Sequence, residues 1–285
     1  MTELVARLRA AGCVFAEDEA RILTEAADGD ADRLEELTAG RVSGLPLEHL
    51  VGWAELDGRR WAVAPGVFVP RQRSELLVRE AAERALAGRA AATAGPVLLV
   101  DLCCGCGALG GAVAARLLAA GHDVELRAAD LDPAAVACAR ENLAALASEG
   151  GAGAPRHGRL TASASVGDLA EPLPARLWGR VDVVVANAPY VPTEAIATMP
   201  PEARDHEPHT ALDGGDDGLA ILRRVFDLAS TLLRPGGHLL VETGGSQVSA
   251  AVAHVRAAGL TPVVLEDDDL GATALAGTLP PPPPR

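Results

Sequence analysis

The chain has 285 residues, 49% of them hydrophobic, which allows a full core and excludes a disordered protein. Its formal net charge of −14 argues against a protein whose main role is gripping a phosphate backbone, because such proteins present clustered positive charge. No apolar run reaches membrane-spanning length, and Met1 to Ala10 lacks the basic-then-apolar order of a signal peptide, so a soluble, cytoplasmic protein with no membrane contact is expected.

No lysine occurs, which excludes Schiff-base chemistry and a lysine general base. The five cysteines are an odd number, and Cys103, Cys104 and Cys106 crowd too closely for an ordinary disulfide framework, so a reducing compartment fits.

From Thr2 to about Val51 the pattern is that of short amphipathic helices, punctuated by Gly12, Gly29 and Gly40, with Asp30 as an N-cap. We read residues 1–51 as a small helical domain that holds a partner or simply packs. Trp53 to Val63 alternates around Asp57-Gly58, the dipeptide favoured in a two-residue type I′ turn, and 52–73 reads as a β-hairpin linker. Ser74 is placed to cap a helix that runs to about Leu86 and closes at Gly88.

From Val97 strands and helices alternate, the signature of a mostly parallel sheet, and 74–279 reads as one α/β domain. Strands are predicted at Val97 to Leu102, Glu125 to Ala129, Leu160 to Ser165, Val181 to Ala186, His238 to Thr243 and Pro262 to Leu265. Helices follow the first strand to about Ala120, run from an Asp132 N-cap with Pro133 to about Ala147, and span Leu219 to Leu232. Pro235-Gly236-Gly237 reads as a turn, Ser246 as the cap of a last helix ended by Gly259, and 280–285 as a proline-rich tail. The long connection from Val191 to Asp217 stands out, since connections of that length inside compact domains are usually lids or binding loops.

The chemistry-bearing residues fall at predicted strand ends. Asn187-Ala188-Pro189-Tyr190 closes the Val181 strand: Asn187 offers a carbonyl acceptor, Ala188 a backbone carbonyl, Pro189 restrains the loop, and the chain's single tyrosine adds a flat face. After the first strand, Asp101 leads into Cys103, Gly105 and Gly107, where glycines let a ligand approach the backbone at a helix N-terminus. Asp130 ends the next strand, where a carboxylate can accept both hydroxyls of a ribose. Together these point to a nucleoside-containing cofactor. Asp168, just past the third strand, is placed to accept from an exocyclic amine. The thiols near a helix N-terminus are expected to have lowered pKa values. No metal is expected: the three cysteines lack a second pair, and in His206-Glu207-Pro208-His209 the histidines are one residue too close and Pro208 spoils a helix.

Taken together these stretches resemble the protein-(glutamine-N(5)) methyltransferases that use S-adenosylmethionine to modify peptide chain release factors. The likeness runs through Pro46 to Val51, Pro65 to Glu75, Asp101 to Gly107, Asp130, Asn187 to Tyr190, Glu202 to Leu219 with Leu212-Asp213-Gly214-Gly215, and Pro235 to Thr243. The resemblance implies a Rossmann-like class I methyltransferase domain, with Asn187 to Tyr190 as catalytic residues. It implies cofactor contacts from Arg71, Asp101, Cys103, Gly105, Gly107, Asp130, Leu131, Asp168, Leu169 and Asn187, and a Gly-Gly-Gln loop of a release factor as substrate. Tyr190 is expected to lay its ring beside the cationic centre. The chain departs from the family pattern where Ala188 replaces a proline, where cysteines occupy the glycine-rich loop, and in a shorter helical region. Methylation of an adenine or cytosine amine, and an inactive S-adenosylmethionine-binding module, are the alternatives that the sequence leaves open.

Overall fold

In the computed structural model, which describes residues 2–87, 95–149 and 158–282, the β-branched run at 181–186 is a strand buried along its whole length. Val183 and Val185 point into one apolar cluster while Val184 and Ala186 point into the other. The two-residue period of a strand thereby puts a separate core on each side of one sheet.

The chain begins with α1 (Thr2–Ala10), α2 (Ala16–Ala27), α3 (Ala31–Val42) and the short α4 (Leu47–Val51). Leu4, Leu8, Ala20, Leu23 and Leu37 form a cluster of their own between these helices. Asp30 caps α3 by accepting from the Asp32 and Arg33 amides. Gly40 is no break: it lies inside α3, where a Cβ would stand 2.6 Å from Leu50 Cδ2, so glycine there lets α4 approach closely. Strands β1 (Trp53–Leu56) and β2 (Arg59–Ala62) then pair across Asp57 and Gly58, both with positive φ as a type I′ turn requires. Next come a 3-10 turn at Gln72–Ser74 and α5 (Glu75–Leu86). Ser74 occupies the cap position of α5, but its hydroxyl serves Glu242 and not the helix. The expected stop at Gly88, and the Gly/Ala-rich loop before the third predicted strand, lie outside the described residues.

The sheet is built from β3 (Val97–Leu102), β4 (Val124–Asp130), β5 (Leu160–Val166), β6 (Val181–Ala186), β7 (Leu233–Glu242), β8 (Thr261–Asp267) and β9 (Ala272–Thr278), in spatial order β5-β4-β3-β6-β7-β9-β8. The first five are mutually parallel, and β9 runs antiparallel to both its neighbours. Helices α6 (Ala108–Ala119) and α7 (Pro133–Ser148) join α5 on one face. On the other face lie α10 (Ala220–Leu232) and α11 (Val248–Ala257), preceded in the chain by the short α8 (Pro201–His206) and α9 (His209–Leu212). Buried Leu222, Val225, Phe226, Ala229 and Leu232 give α10 the stripe that seats it. The resulting fold is a Rossmann-like α/β sandwich.

Three further sequence expectations change. Pro235-Gly236-Gly237 lies within β7, as an irregularity between the Val181 and Val183 pairings. The turn before α11 is secured by Gln247, whose Oε1 accepts the Gly244 amide at 2.9 Å, and not by Ser246. Strand β9 has no counterpart in the sequence reading, which placed no element between Leu265 and the tail. Of that tail, residues 280–282 have no regular structure and the rest lie outside the described residues.

The hairpin is fixed to the α/β body. Trp61 is 3% exposed, and its ring lies where a Cβ on Gly111 would stand 2.6 Å away. Asn142 on α7 accepts the Ala62 amide and donates to the Ala62 and Cys106 carbonyls, each at 2.8 Å.

Candidate active site

Strand order reverses direction between β3 and β6, and in open parallel sheets ligands sit outside the carboxyl ends at such a point. A cavity of about 600 Å³ lies there. Its wall includes Cys103 and Gly105 after β3, Asp130 and Leu131 at the end of β4, Asp168 and Leu169 after β5, and Asn187 and Pro189 after β6. Eight of the residues singled out in the sequence thus share one space. Pro208 to Ala211 and Asp213 contribute another side, which brings the long connection to the cavity. That connection is folded back on itself: the Val191 amide donates to Leu212 O, and Gly214 donates to Val191 O at 2.9 Å.

The loop after β3 is shaped by its backbone. Gly105 has φ of +53°, and a Cβ built on it would meet nothing within 4 Å, so the backbone there is strained for any other residue and open on the side where a Cβ would stand. Cys103 and Leu169, both cavity residues, hold φ near +55° and +50°, a conformation that costs a non-glycine residue on the order of 1 kcal/mol. Asp130 accepts the Gly105 amide through Oδ2 at 2.8 Å and the Asp132 amide through Oδ1 at 2.9 Å, and burial pushes its pKa up. Each oxygen keeps a lone pair for a ligand hydroxyl. A bare backbone at Gly105, a carboxylate one strand over and an apolar face from Leu131 and Leu169 fit a nucleoside such as that of S-adenosylmethionine.

Five of the expected site residues do not line this cavity, each for a physical reason. Asp101 is buried beneath the loop: its Oδ2 accepts the Gly110 amide at 2.9 Å, its Oδ1 has no partner among the described residues, and burial raises its pKa to about 7. Gly107 starts α6, where a Cβ would lie 3.0 Å from Ala139 Cβ, so its role is close packing against α7. Arg71 turns away to the buried carboxylate of Glu207 at 2.5 Å. Ala188 is 1% exposed in the core. Tyr190 is drawn off by charge: its hydroxyl donates to Glu242 Oε1 at 2.6 Å and accepts from Arg73 at 2.7 Å, so it does not flank the cavity as expected. Burial, with Glu242 beside it, raises the phenol pKa.

The thiols are also corrected. Burial and the neighbouring Asp101 and Asp130 push the Cys103 and Cys104 pKa values up, and burial pushes Cys106 to about 12. Desolvation and carboxylate repulsion outweigh the helix N-terminus. All five cysteines are free.

Sequence reasoning missed Ser74, Arg73, Glu242, Arg224 and Gln247. Ser74 lines the cavity and donates to Glu242 Oε2 at 2.8 Å, while Asn187 Nδ2 donates to Ser74 Oγ at 3.3 Å. Arg73 Nε reaches Glu242 Oε1 at 2.6 Å. Arg224, also on the wall, pairs with Asp168 at 2.7 Å, so the aspartate expected to meet an amine already holds a guanidinium at one oxygen. Gln247 Nε2 donates to Tyr190 O at 2.8 Å and to Asp217 O at 3.0 Å, tying the turn after β6 to the end of the long connection. One signal was available for Glu242: an acidic residue closing the apolar run His238 to Val241 needs a partner, because buried charge is costly without one.

No family model matches the chain. Among curated proteins, it is 34% identical to the release factor glutamine methyltransferase of Geobacter sulfurreducens over 242 residues, covering 85% of this chain and 75% of that one. It is 37% identical over 219 residues to the 4-amino-L-phenylalanine/4-methylamino-L-phenylalanine methyltransferase of Streptomyces pristinaespiralis, covering 77% of this chain and 68% of that one. Among solved structures, the hMettl16 catalytic domain in complex with MAT2A 3′UTR hairpin 1 superposes with a TM-score of 0.54 at 13% identity, over 90% of this chain and 84% of that one, which speaks for the fold alone.

Proposed function

Since the chain belongs to the release factor glutamine methyltransferase family, we propose that it methylates the side-chain amide of a glutamine in a peptide chain release factor, with S-adenosylmethionine as donor. The observation that carries this reading is that Asn187, whose side-chain oxygen can accept an amide N–H, and Asp130, whose carboxylate can accept ribose hydroxyls, line one cavity. When bound, S-adenosylmethionine supplies an electrophilic methyl group on a sulfonium.

An amide nitrogen is a weak nucleophile because its lone pair is delocalised into the carbonyl. In our reading Asn187 Oδ1, on the cavity wall, accepts an N–H of the substrate amide. Fixing that N–H turns the lone pair toward the methyl group and stabilises the positive charge that develops on nitrogen. The N–C bond forms as the S–C bond breaks, and one amide proton leaves to solvent. No strong base is needed. Pro208 to Ala211 would wall the entry, and a Gly-Gly-Gln loop is thin and flexible enough to extend into it. The helices at 2–51 would hold the body of the partner, as a partner-recognition domain. Five free thiols accord with a cytoplasmic setting, and no helix among the described residues is long and apolar enough to cross a membrane.

The second reading takes its support from the Streptomyces pristinaespiralis relative: a small aromatic amine presents the same planar –NH₂ to Asn187. The test is to incubate the protein with methyl-labelled S-adenosylmethionine and, separately, release factors, nucleic acids and 4-amino-L-phenylalanine. Mass spectrometry should place a single methyl group on the glutamine of the Gly-Gly-Gln loop, and Gln→Asn in the partner should abolish it. Label on the amino acid alone would favour the second reading, and label on nucleic acid alone would overturn both.

A further inference from the structure

Which end of the Asn187 amide faces the cavity decides whether the site attracts or repels a substrate N–H, and we propose that Glu242 sets that end through Ser74. This rests on the functional reading above, in which Asn187 must present its oxygen.

The placement of protons decides the matter. A carboxylate can only accept hydrogen bonds. Glu242 Oε2 lies 2.8 Å from Ser74 Oγ, so the serine spends its single proton on Glu242. With that proton committed, the only hydrogen bond Ser74 can make to Asn187 is as acceptor, and Asn187 Nδ2 donates to it at 3.3 Å. The amide nitrogen is thereby held toward Ser74, leaving Oδ1 for the cavity. A flipped amide would set oxygen against oxygen at Ser74 and offer the substrate a donor where it needs an acceptor. Both Ser74 and Glu242 are nearly closed to solvent, at 2% and 3% exposure, so water does not substitute for either partner. The other oxygen of Glu242 is held by Tyr190 and Arg73, each at 2.6 Å, which stops the carboxylate from rotating away. The single tyrosine thus has a function away from the ligand, since it steadies the group that steadies Asn187. Ser74 and Glu242 are positioning residues on this account, acting through Asn187.

Two measurements test it. The first needs no substrate. The Asn187 side-chain amide resonances, identified by their loss in Asn187→Ala, should move in Ser74→Ala and Glu242→Gln and stay in place in Ser74→Thr, which keeps the hydroxyl. Resonances unmoved by Ser74→Ala overturn the proposal, even if Glu242→Gln fails to fold. The second is a double-mutant cycle on methyl transfer. Ser74→Ala should lower kcat by about tenfold to a hundredfold in the natural background, with cofactor affinity and KM little changed, and by less than about twofold when Asn187 is already alanine. Equal losses in both backgrounds mean that Ser74 acts independently of Asn187 and overturn the relay. If the resonances respond as expected but no glutamine is methylated, the functional reading fails and the relay stands.

Discussion

On the proposed reading Asp130 and Asn187 divide the work of the cavity, and their removal should separate binding from chemistry. In Asp130→Ala both the ribose acceptor and the anchor of the Gly105 amide are lost, so calorimetry should show cofactor affinity falling at least about tenfold, the worth of a single charge-assisted hydrogen bond. Asn187→Ala should leave cofactor binding in place while slowing transfer on the order of 100-fold, the usual cost of one preorganised polar group; a variant that transfers methyl at the natural rate would remove Asn187 from the mechanism. Asp101 makes a different prediction. Its folded pKa of about 7 lies above its unfolded value, so between about pH 4 and pH 7 the folded state holds a proton that the unfolded state has lost. The contribution of Asp101 to stability therefore falls as pH rises through that window and is constant above it. Asp101→Asn cannot titrate, so urea unfolding should show the variant gaining on the natural protein between pH 5 and pH 8, by about 1 to 3 kcal/mol.

At the scale of elements, the hairpin depends on a missing side chain. A Cβ at position 111 would lie 2.6 Å from the Trp61 ring, so Gly111→Leu should force β1 and β2 off α6 at a cost of about 1 to 3 kcal/mol. Thermal unfolding would report the lowered stability, and a shift in Trp61 fluorescence would report the lost packing. The same contact shows how far a sequence can be read. Asp57-Gly58 announces its turn because the backbone there needs two positive φ angles, a local demand. Val181 to Ala186 announces its strand because a run of β-branched residues long enough to cross a sheet has few other fates. Asp132-Pro133 announces its helix in the same local way, and the order of strand ends brought Asp130, Asp168 and Asn187 to one cavity. What stayed hidden was tertiary. Strand β9, Ala-Thr-Ala-Leu-Ala-Gly-Thr, has small residues because β7 and β8 flank it and helices cover it, and nothing in its own composition distinguishes it from a loop. Ser74 reads as a cap because its neighbours in sequence are a helix, while its partner Glu242 is 168 residues away. Tyr190 reads as a ligand contact because its sequence neighbours do, whereas the charges of Glu242 and Arg73 draw its hydroxyl elsewhere.

For the whole molecule, the joint between the first helices and the body is held by charge. Arg41 on α3 is buried, donates to Glu19 on α2, and also pairs with Glu202 on α8 at 2.7 Å. Taking away the arginine leaves Glu19 in an apolar setting without its partner, so Arg41→Ala should cost about 3 to 5 kcal/mol. Because the pair also ties the helices to the connection that walls the cavity, limited proteolysis should cut first within the helical region of the variant. An unchanged unfolding midpoint and cleavage pattern would show that the hydrophobic contacts suffice without it.

The place of β9 carries a consequence for how the protein is made. It comes last among the strands in sequence yet lies between β7 and β8 in the sheet. A ribosome therefore releases every strand of the cavity wall, β3 to β6, well before it releases the strand that covers the edge of β7. During that interval the edge is open to pairing with any other extended chain. The pace of translation between Glu242 and Ala272 sets how long the newborn protein is exposed to that hazard, so the codons of this stretch bear on how much of the enzyme survives its own synthesis.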